Sequence, residues 1–435
     1  MKTSPDKSRR GGIQALRALK HPNFKWFWFG AVGQTMAQGM QQLTLGWLVL
    51  ELTDSAYQLG IVIFLQGVPM MIFMMYGGVL ADRLSRIKLL VVSQLMTMPI
   101  LIILGVLAAT ANARVWQVYV ASLVIGAIQA VMFPARQAVV RDVVPREDVL
   151  NAVVLNSTLQ NLAQILGPSM AGFIIGGIGI AFALYVNATL YIIGVLALLM
   201  IRGVHSLPQT AKTTVAKEMV DGVRYTWRVP PVFATIAIGC AMGFFIHPVS
   251  QLMPAFAKQE LSLGAEGAGT LLMFAGIGSL VGNATMAVLG DIKLKWWIML
   301  WASVVYGIAI FAFSFVQSYW LALFLMLFIG GGRMVFVSLG STLIQLMTSQ
   351  SFTGRAMSLW SVGVALMFVG ALPMGFVGDL INLRFSIAAS SVIYLLLTFW
   401  LGFLWSPLRK LGNGELAVQP PDVPAVAAKS TAPNA

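Results

Sequence analysis

One arginine stands in the middle of a long apolar stretch. Arg333 follows three consecutive glycines, and the stretch reaches from Trp320 to Met347. An arginine at the centre of a membrane helix costs roughly 2.5–3.5 kcal/mol, so this guanidinium needs a water-filled cavity or a polar partner. A cavity arginine without an acidic partner attracts anionic groups. Arg333 is therefore a candidate substrate-binding residue, and satisfaction by backbone carbonyls or glutamines is the alternative.

A histidine directly before a proline lies in a second apolar stretch. The residue before a proline disfavours helical dihedrals, so Pro248 predicts a break at His247, of a kind tolerated where backbone lines a cavity. Imidazole titrates near neutral pH and can relay protons. His247 is therefore a candidate proton and substrate site, with a hydrogen-bonded structural histidine as the alternative. Gln251, one turn later, is a candidate for lining the same cavity.

Glutamines recur along the first apolar stretch. Gln34, Gln38 and Gln41 fall on one helical face, and Gln42 follows them. In lipid an amide must find hydrogen-bonding partners, so this face is predicted to point inward. The three glutamines of that face are candidates for substrate contact, and hydrogen bonds between helices are the alternative role for each.

The composition excludes a soluble protein. Of the 435 residues, 58% are hydrophobic and only 10% are charged, and the mean hydropathy is +0.83. A soluble domain carries about 25% charged residues. The net charge of +13 comes from basic residues between apolar stretches, which indicates membrane topology rather than nucleic-acid binding. Cys240 is the single cysteine, and we predict no metal and no cofactor.

The apolar stretches predict an all-α membrane protein with twelve transmembrane helices. A span needs about 20 apolar residues, and twelve stretches meet that length. They are Phe24–Leu52, Ala56–Ala81, Ile87–Thr110, Val115–Val140, Val149–Ile178, Ala181–Ile201, Pro231–Ala257, Ala265–Gly290, Leu294–Val316, Trp320–Met347, Arg355–Leu380 and Phe385–Trp405.

Basic residues orient these spans, because Lys and Arg are retained on the cytoplasmic side of a membrane. With the N-terminus inside, nearly all of the 28 Lys and Arg residues fall on the inner side. The exceptions are Arg333 within a span and Arg114, Lys258 and Arg384 outside. Arg136 is counted here with the inner-side basic residues of the region between the fourth and fifth spans. This bias predicts a multi-pass protein of the bacterial cytoplasmic (inner) membrane with both termini in the cytoplasm.

Landmarks recur between the two halves of the chain. Asp82 ends the second span and Asp291 the eighth, while Arg146 and Arg355 precede the fifth and eleventh at the same separation. The recurrence predicts two six-helix pseudo-repeats. The predicted divisions are a cytoplasmic N-terminal segment 1–23, a six-helix half 24–201, a cytoplasmic central loop 202–230, a second half 231–405 and a disordered cytoplasmic tail 406–435.

The loop between the second and third spans carries a motif. Its sequence, Gly78-Val-Leu-Ala-Asp82-Arg83-Leu-Ser-Arg86-Ile-Lys88, resembles the signature Gly-x-Leu-Ala-Asp-Arg-x-Gly-Arg-x-Lys of the major facilitator superfamily, with a serine in place of the second glycine. A carboxylate at the membrane edge can hold a helix N-terminus or an arginine in one conformer and release it in another. The resemblance implies two halves that rock about a central site, with this loop as a cytoplasmic gate.

Shorter segments resemble the drug:proton antiporter branch of that superfamily. They are Leu52-Thr-Asp-Ser55, Phe133-Pro-Ala-Arg-Gln137, Val144-Pro-Arg-Glu-Asp148 and Asp221-Gly-Val-Arg-Tyr225. The resemblance implies proton-coupled efflux through a cavity lined by spans 1, 4, 7 and 10. It also assigns Arg141 and Asp142 to the gate and Gly167-Pro168 to an antiporter motif, which is partial here. The fourth span has Ser122 about where many proton-driven members carry arginine.

Three function classes remain, and a secondary active transporter is favoured. No Walker A segment occurs, so the energy must come from a gradient. A membrane enzyme would need a polar catalytic set near one face, which the spans lack, and a sensor usually needs an added soluble module. We therefore predict that the chain is not an enzyme.

The predicted role is efflux of a small amphipathic or anionic compound, such as a drug, a siderophore or an organic acid. Alternating access coupled to protons is the expected mechanism. A gradient-driven facilitator or importer of an organic anion is the alternative. The expected partners are a small-molecule substrate, the lipid bilayer and protons, without nucleic acid, and the chain is expected to be a monomer.

Overall fold

The structure is a computed structural model that describes residues 17–202, 226, 229–289 and 294–404; within these ranges the side chains of 74–83, 164, 289, 350–351 and 404 are not described. The regular structure of the described part is helical, without a strand. Most of the predicted N-terminal segment, central loop and tail lies outside these residues. The predicted divisions of the chain therefore stay a prediction.

Six helices joined by short connections form the first half. They are α1 (Pro22–Thr53), α2 (Ala56–Arg83), α3 (Arg86–Ala109), α4 (Val115–Asp142), α5 (Val149–Gly177) and α6 (Ile180–Leu199). Short 3₁₀ turns at Arg17–Lys20 and Arg146–Asp148 precede α1 and α5. His21 Nε2 lies 2.8 Å from Asp148 Oδ2, so the chain before α1 is held against the start of α5.

The helices of the second half are more often interrupted. They are α7 (Pro230–Ala241), α8 (Pro248–Gln251), α9 (Met253–Gln259), α10 (Ala265–Leu289), α11 (Lys295–Ser314), α12 (Tyr319–Met347), α13 (Gln350–Ala365), α14 (Met367–Leu380) and α15 (Leu383–Phe399). π-Helical turns at Met242–Ile246 and Trp400–Leu404 follow α7 and α15. Two of the predicted spans are thus interrupted helices. The seventh span consists of α7, α8 and α9, and the eleventh consists of α13 and α14.

The irregularity predicted at His247 begins one turn earlier. The amide of His247 donates to the carbonyl of Met242 at 2.9 Å, which is a π-helical bond. His247 itself keeps helical dihedrals, with φ −62° and ψ −29°, and it separates the π-helical turn from the next helix, so the predicted interruption of the helix is present. Pro248 lacks an N–H and crowds the preceding turn, and the widened turn accommodates its ring.

Ten stretches of the described chain are long and apolar enough to cross a membrane. They match ten of the twelve predicted spans, and α1 and α5 are the two helices without that character. Both carry repeated amides, such as Gln38 in α1 and Gln160 in α5. Amides lower the apolarity of a helix without shortening it. The count of twelve spans therefore stays a prediction, although α1 has 32 residues and α5 has 29.

Within each half, glycines bring one pair of helices into backbone contact, and the two pairs occupy equivalent positions in the halves. In the second half, a methyl group on Gly278 would overlap the carbonyl oxygen of Leu327, which joins α10 to α12. In the first half, Gly126 stands in the same way against the carbonyl of Gln66, which joins α4 to α2. Small residues permit this close approach in membrane bundles. The shared arrangement agrees with two pseudo-repeats.

Polar contacts join the two halves where α1 turns into α2. Lys258 Nζ lies 2.9 Å from Asp54 Oδ1 and donates to the carbonyl of Leu50 at 2.7 Å. Asp379 of α14 accepts from the Ser55 hydroxyl and, at 2.7 Å, from the amide of Ala56 at the start of α2. A carboxylate is stabilised at a helix N-terminus by the helix dipole. These contacts close one end of the interface between the halves.

The glycine contact predicts a stability difference. Gly278→Ala is expected to destabilise the protein by about 1–3 kcal/mol, because the added methyl overpacks the α10–α12 contact. Gly354→Ala is the matched control, since no atom lies within 4 Å of a methyl group placed there. Thermal unfolding of both purified variants in detergent is the measurement. Equal midpoints for Gly278→Ala, Gly354→Ala and the unmodified chain would contradict the packing argument.

Candidate functional site

A cavity of about 510 Å³ lies between the two halves. Its wall is rich in amides, which α1, α2, α4, α5 and α8 supply. These residues are Gln38, Gln42, Gln66, Gln129, Gln160, Asn161 and Gln251. Within the described part of the chain, no Asp or Glu lines the cavity. The wall thus offers hydrogen-bond donors and acceptors from neutral groups, and its only charges are positive.

Arg333 enters this cavity from α12. Its Nη1 lies 3.4 Å from Nε2 of His247, and its Nη2 lies 3.4 Å from the hydroxyl of Ser279 on α10. Both distances are long for hydrogen bonds. The Ser279 hydroxyl also donates to the carbonyl of Gly330, at 3.1 Å. Arg333 is therefore positioned by an imidazole and a hydroxyl, and among the described residues of the cavity no carboxylate compensates its charge.

The predicted residues of the broken helix reach the same cavity. His247 is buried and lines it beside Arg333. Gln251 accepts a 2.6 Å hydrogen bond from Gln42 of α1, which crosses from one half to the other. The Nε2 of Gln251 lies 3.6 Å from the sulfur of Met367. The fold thus brings together His247, Gln251 and Arg333, which the sequence singled out separately.

The cavity face of α1 differs from the predicted one. Gln38 lines the cavity, but its neighbours on that face are Thr35, Gly39 and Gln42 rather than Gln34 and Gln41. Gln34 is buried away from the cavity, with 2% of its surface exposed.

Gln41 is also turned away from the cavity. It is buried and accepts a 2.9 Å hydrogen bond from the Tyr191 hydroxyl of α6. Helical spacing places Gln38 on a face with Gln34 and Gln41 and also on a face with Thr35 and Gln42. Packing of α1 against α6 decides which of these two faces meets the cavity. Gln34 and Gln41 therefore pack inside the first half and do not line the cavity.

Arg136 is the residue that sequence reasoning misplaced. It was counted with the inner-side basic residues, but α4 continues to Asp142, and Arg136 lines the cavity with 5% of its surface exposed. Its Nη1 donates to Thr35 Oγ1 and Gln38 Oε1, both at 3.2 Å. Its buried Nε has no hydrogen-bond partner in the described structure. Its place inside the predicted fourth span was the signal that could have identified it.

The described part of the predicted gate motif lies where the start of α3 meets the end of α4. Arg86 Nη1 donates to both carboxylate oxygens of Asp142, at 2.9 and 2.8 Å. Lys88 and Arg141 are exposed. The side chains of Gly78, Asp82 and Arg83 lie outside the described residues. The described part of the motif therefore ties two helices of the first half together.

The predicted motif of α5 is a packing site at the cavity edge. A methyl group on Gly167 would lie 2.9 Å from the Cα of Gly39 on α1. Pro168 lines the cavity, and its carbonyl approaches Gly269 of α10. These small residues allow α5 to contact α1 and α10 closely. The motif thus places α5 against both halves.

Comparison with known proteins agrees with this architecture. Residues 13–428 match the transmembrane secretion effector family. The enterobactin exporter EntS of Citrobacter koseri is 24% identical, with 96% of this chain and 99% of the relative covered. The multidrug efflux pump Tap of Mycolicibacterium fortuitum is 25% identical, with 90% and 97% covered. The staphyloferrin A transporter of Staphylococcus aureus is 24% identical over 60% of this chain and 66% of the relative.

Solved structures show the same fold at low identity. A variant of the nucleoside transporter NupG superposes with a TM-score of 0.72 at 13% identity, covering 88% of this chain and 99% of the other. A bacterial homologue of the lysosomal transporter Spinster, in an inward-facing conformation, gives 0.67 at 14% identity, with 94% and 99% covered. Together with the family match, this fold makes the chain a multi-pass membrane transporter that belongs to the transmembrane secretion effector family of the major facilitator superfamily.

Proposed function

We propose that this transporter exports a small amphipathic or anionic compound from the bacterial cytoplasm by alternating access. The observation that carries the proposal is Arg333, an uncompensated cation in a cavity between two halves. A ligand that contacts both halves can bind one conformer more tightly than another and so shift their populations. Drugs, siderophores and organic acids are the compound classes that fit a cavity with an amide-rich wall and positive charge.

The closed end of the interface supports loading from the cytoplasm. Under the predicted orientation, the turn from α1 to α2 lies outside. The contacts of Lys258 and Asp379 then form an outer gate. A shut outer gate fits a conformer that a substrate enters from the inner side, and export requires such a conformer. The names of the relatives agree, since they include an enterobactin exporter and a multidrug efflux pump.

Proton coupling is the second part of the proposal. Among the described residues of the cavity, His247 is the candidate for taking up the proton. An arginine has no acceptor, so its contact with His247 requires an Nε2 without a proton. Proton uptake at that atom would break the contact and place two cations side by side. The cavity would become more positive and would attract an anion more strongly.

An increase of anion binding on proton uptake favours a second candidate function for anionic compounds. Antiport needs the proton and the substrate to compete, whereas a charged His247 beside Arg333 favours both together. The adjacency therefore supports, as the alternative, a gradient-driven facilitator or importer of an organic anion. Flux in sealed vesicles separates the two. Antiport is accelerated when the side toward which the substrate moves is acidic, and joint movement is accelerated when the starting side is acidic.

Removing the Arg333 charge is expected to impair transport of anions. Arg333→Gln should raise the KM for an exported organic acid by about 10–100-fold, because a charge-assisted hydrogen bond contributes about 1.5–3 kcal/mol. Arg333→Lys should lose less, since it keeps the charge. Vesicle flux is the measurement, with Arg146→Gln, an exposed arginine outside the cavity, as the control. Unchanged kinetics in Arg333→Gln would leave Arg333 with a structural role only.

If the alternative holds and the proton and the anion move together, acidification is expected to tighten anion binding through His247. The affinity of the unmodified protein for an organic acid should rise as the pH falls, because an imidazolium adds positive charge next to Arg333. His247→Asn should flatten this dependence. Calorimetric titration of the purified protein at several pH values is the measurement. Weaker binding at low pH would instead indicate competition with a proton, as antiport demands.

A further inference from the structure

Besides the half-buried Arg333, the cavity contains a buried cation, Arg136, that the proposed function does not use. Arg136 belongs to α4 in the first half, and Arg333 belongs to α12 in the second half. A charge inside an apolar helical bundle is costly, yet no described Asp or Glu lines the cavity to offset either arginine. Two cations on opposite halves therefore require a common explanation.

Both guanidinium groups have hydrogen-bonding capacity that the described residues leave unused. Arg136 uses Nη1 for two neutral acceptors, Thr35 and Gln38, and its buried Nε is unpartnered in the described structure. Arg333 makes two long contacts, at 3.4 Å, with His247 and Ser279. A guanidinium carries five N–H donors in a planar fork that suits bidentate binding of a carboxylate. Each arginine can therefore bind one anionic group of a ligand by donating hydrogen bonds to it.

We propose that Arg136 and Arg333 together bind a substrate with two separated anionic groups, one held by each half of the transporter. This inference rests on the proposed transport function and narrows its substrate class to dicarboxylates and polycarboxylates. The middle of such a ligand lies against the amide wall, where Gln42 and Gln251 already join the halves by a 2.6 Å hydrogen bond. A cavity of about 510 Å³ holds a ligand of this size.

The same pair also couples binding to the conformational change. Bringing the two halves together around an empty cavity would place two buried cations in a medium of low dielectric constant, where their repulsion is strong. A bound dianion neutralises both charges and links the halves. Passage through the closed state is therefore favoured when the substrate is loaded, and the empty transporter is held back.

Binding of a defined ligand series tests this pairing. The probes are the α,ω-dicarboxylates from glutarate to azelate and their monomethyl esters, titrated calorimetrically onto the purified full chain in nanodiscs. We expect the best dicarboxylate to bind roughly 10–100-fold more tightly than its monoester. Arg136→Gln and Arg333→Gln should each remove that preference, so that diacid and monoester bind alike. Arg146→Gln should keep it.

Several results would overturn the pairing. They are equal binding of diacid and monoester by the unmodified protein, binding of no dicarboxylate at all, and an undiminished preference in Arg136→Gln. Arg136→Lys keeps the charge and is the control for misfolding in Arg136→Gln. It should retain a preference for the diacid and an unchanged thermal midpoint. Vesicle flux of other anions would persist if only the pairing fails, whereas the proposed function fails if no compound crosses the membrane.

Discussion

Two guanidinium groups inside an apolar helical bundle determine how the polar side chains around them are arranged. Charge in such surroundings must meet polar groups or water. Arg136 meets Thr35 and Gln38, and Arg333 meets His247 and Ser279. These hydroxyl, amide and imidazole partners accept hydrogen bonds without cancelling charge. The cavity therefore keeps a positive potential that an acidic partner residue would have removed.

A polar cavity can persist in this bundle because the helices around it pack closely elsewhere. Backbone contact at Gly126 joins α4 to α2, and contact at Gly278 joins α10 to α12. Gly167 and Pro168 hold α5 against α1 and α10. The helices with the most amides, α1 and α5, can be less apolar because one face of each lines the cavity rather than lipid.

Some of the polar contacts between the two halves can be exchanged at low cost. Asp54 with Lys258 is a partly exposed ion pair, and such pairs contribute about 0–1 kcal/mol. The bonds from Ser55 and Ala56 to Asp379 lie at helix ends, where water can replace them. Contacts of this kind add little to the stability of one arrangement of the halves over another. A ligand with a modest preference for one conformer can then shift the populations.

The sequence by itself determined the helical class, the approximate spans and the interior placement of Arg333, His247 and Gln251. These follow from local properties, namely the length of apolar stretches and the cost of polar groups within them. The tertiary structure alone decided which face of α1 meets the cavity, because the same spacing fits a face with Gln34 or one with Gln42. It also decided the role of Arg136, since an arginine near the end of a span can extend its side chain to the membrane surface or turn inward, and only the packing of α4 against α1 shows which occurs.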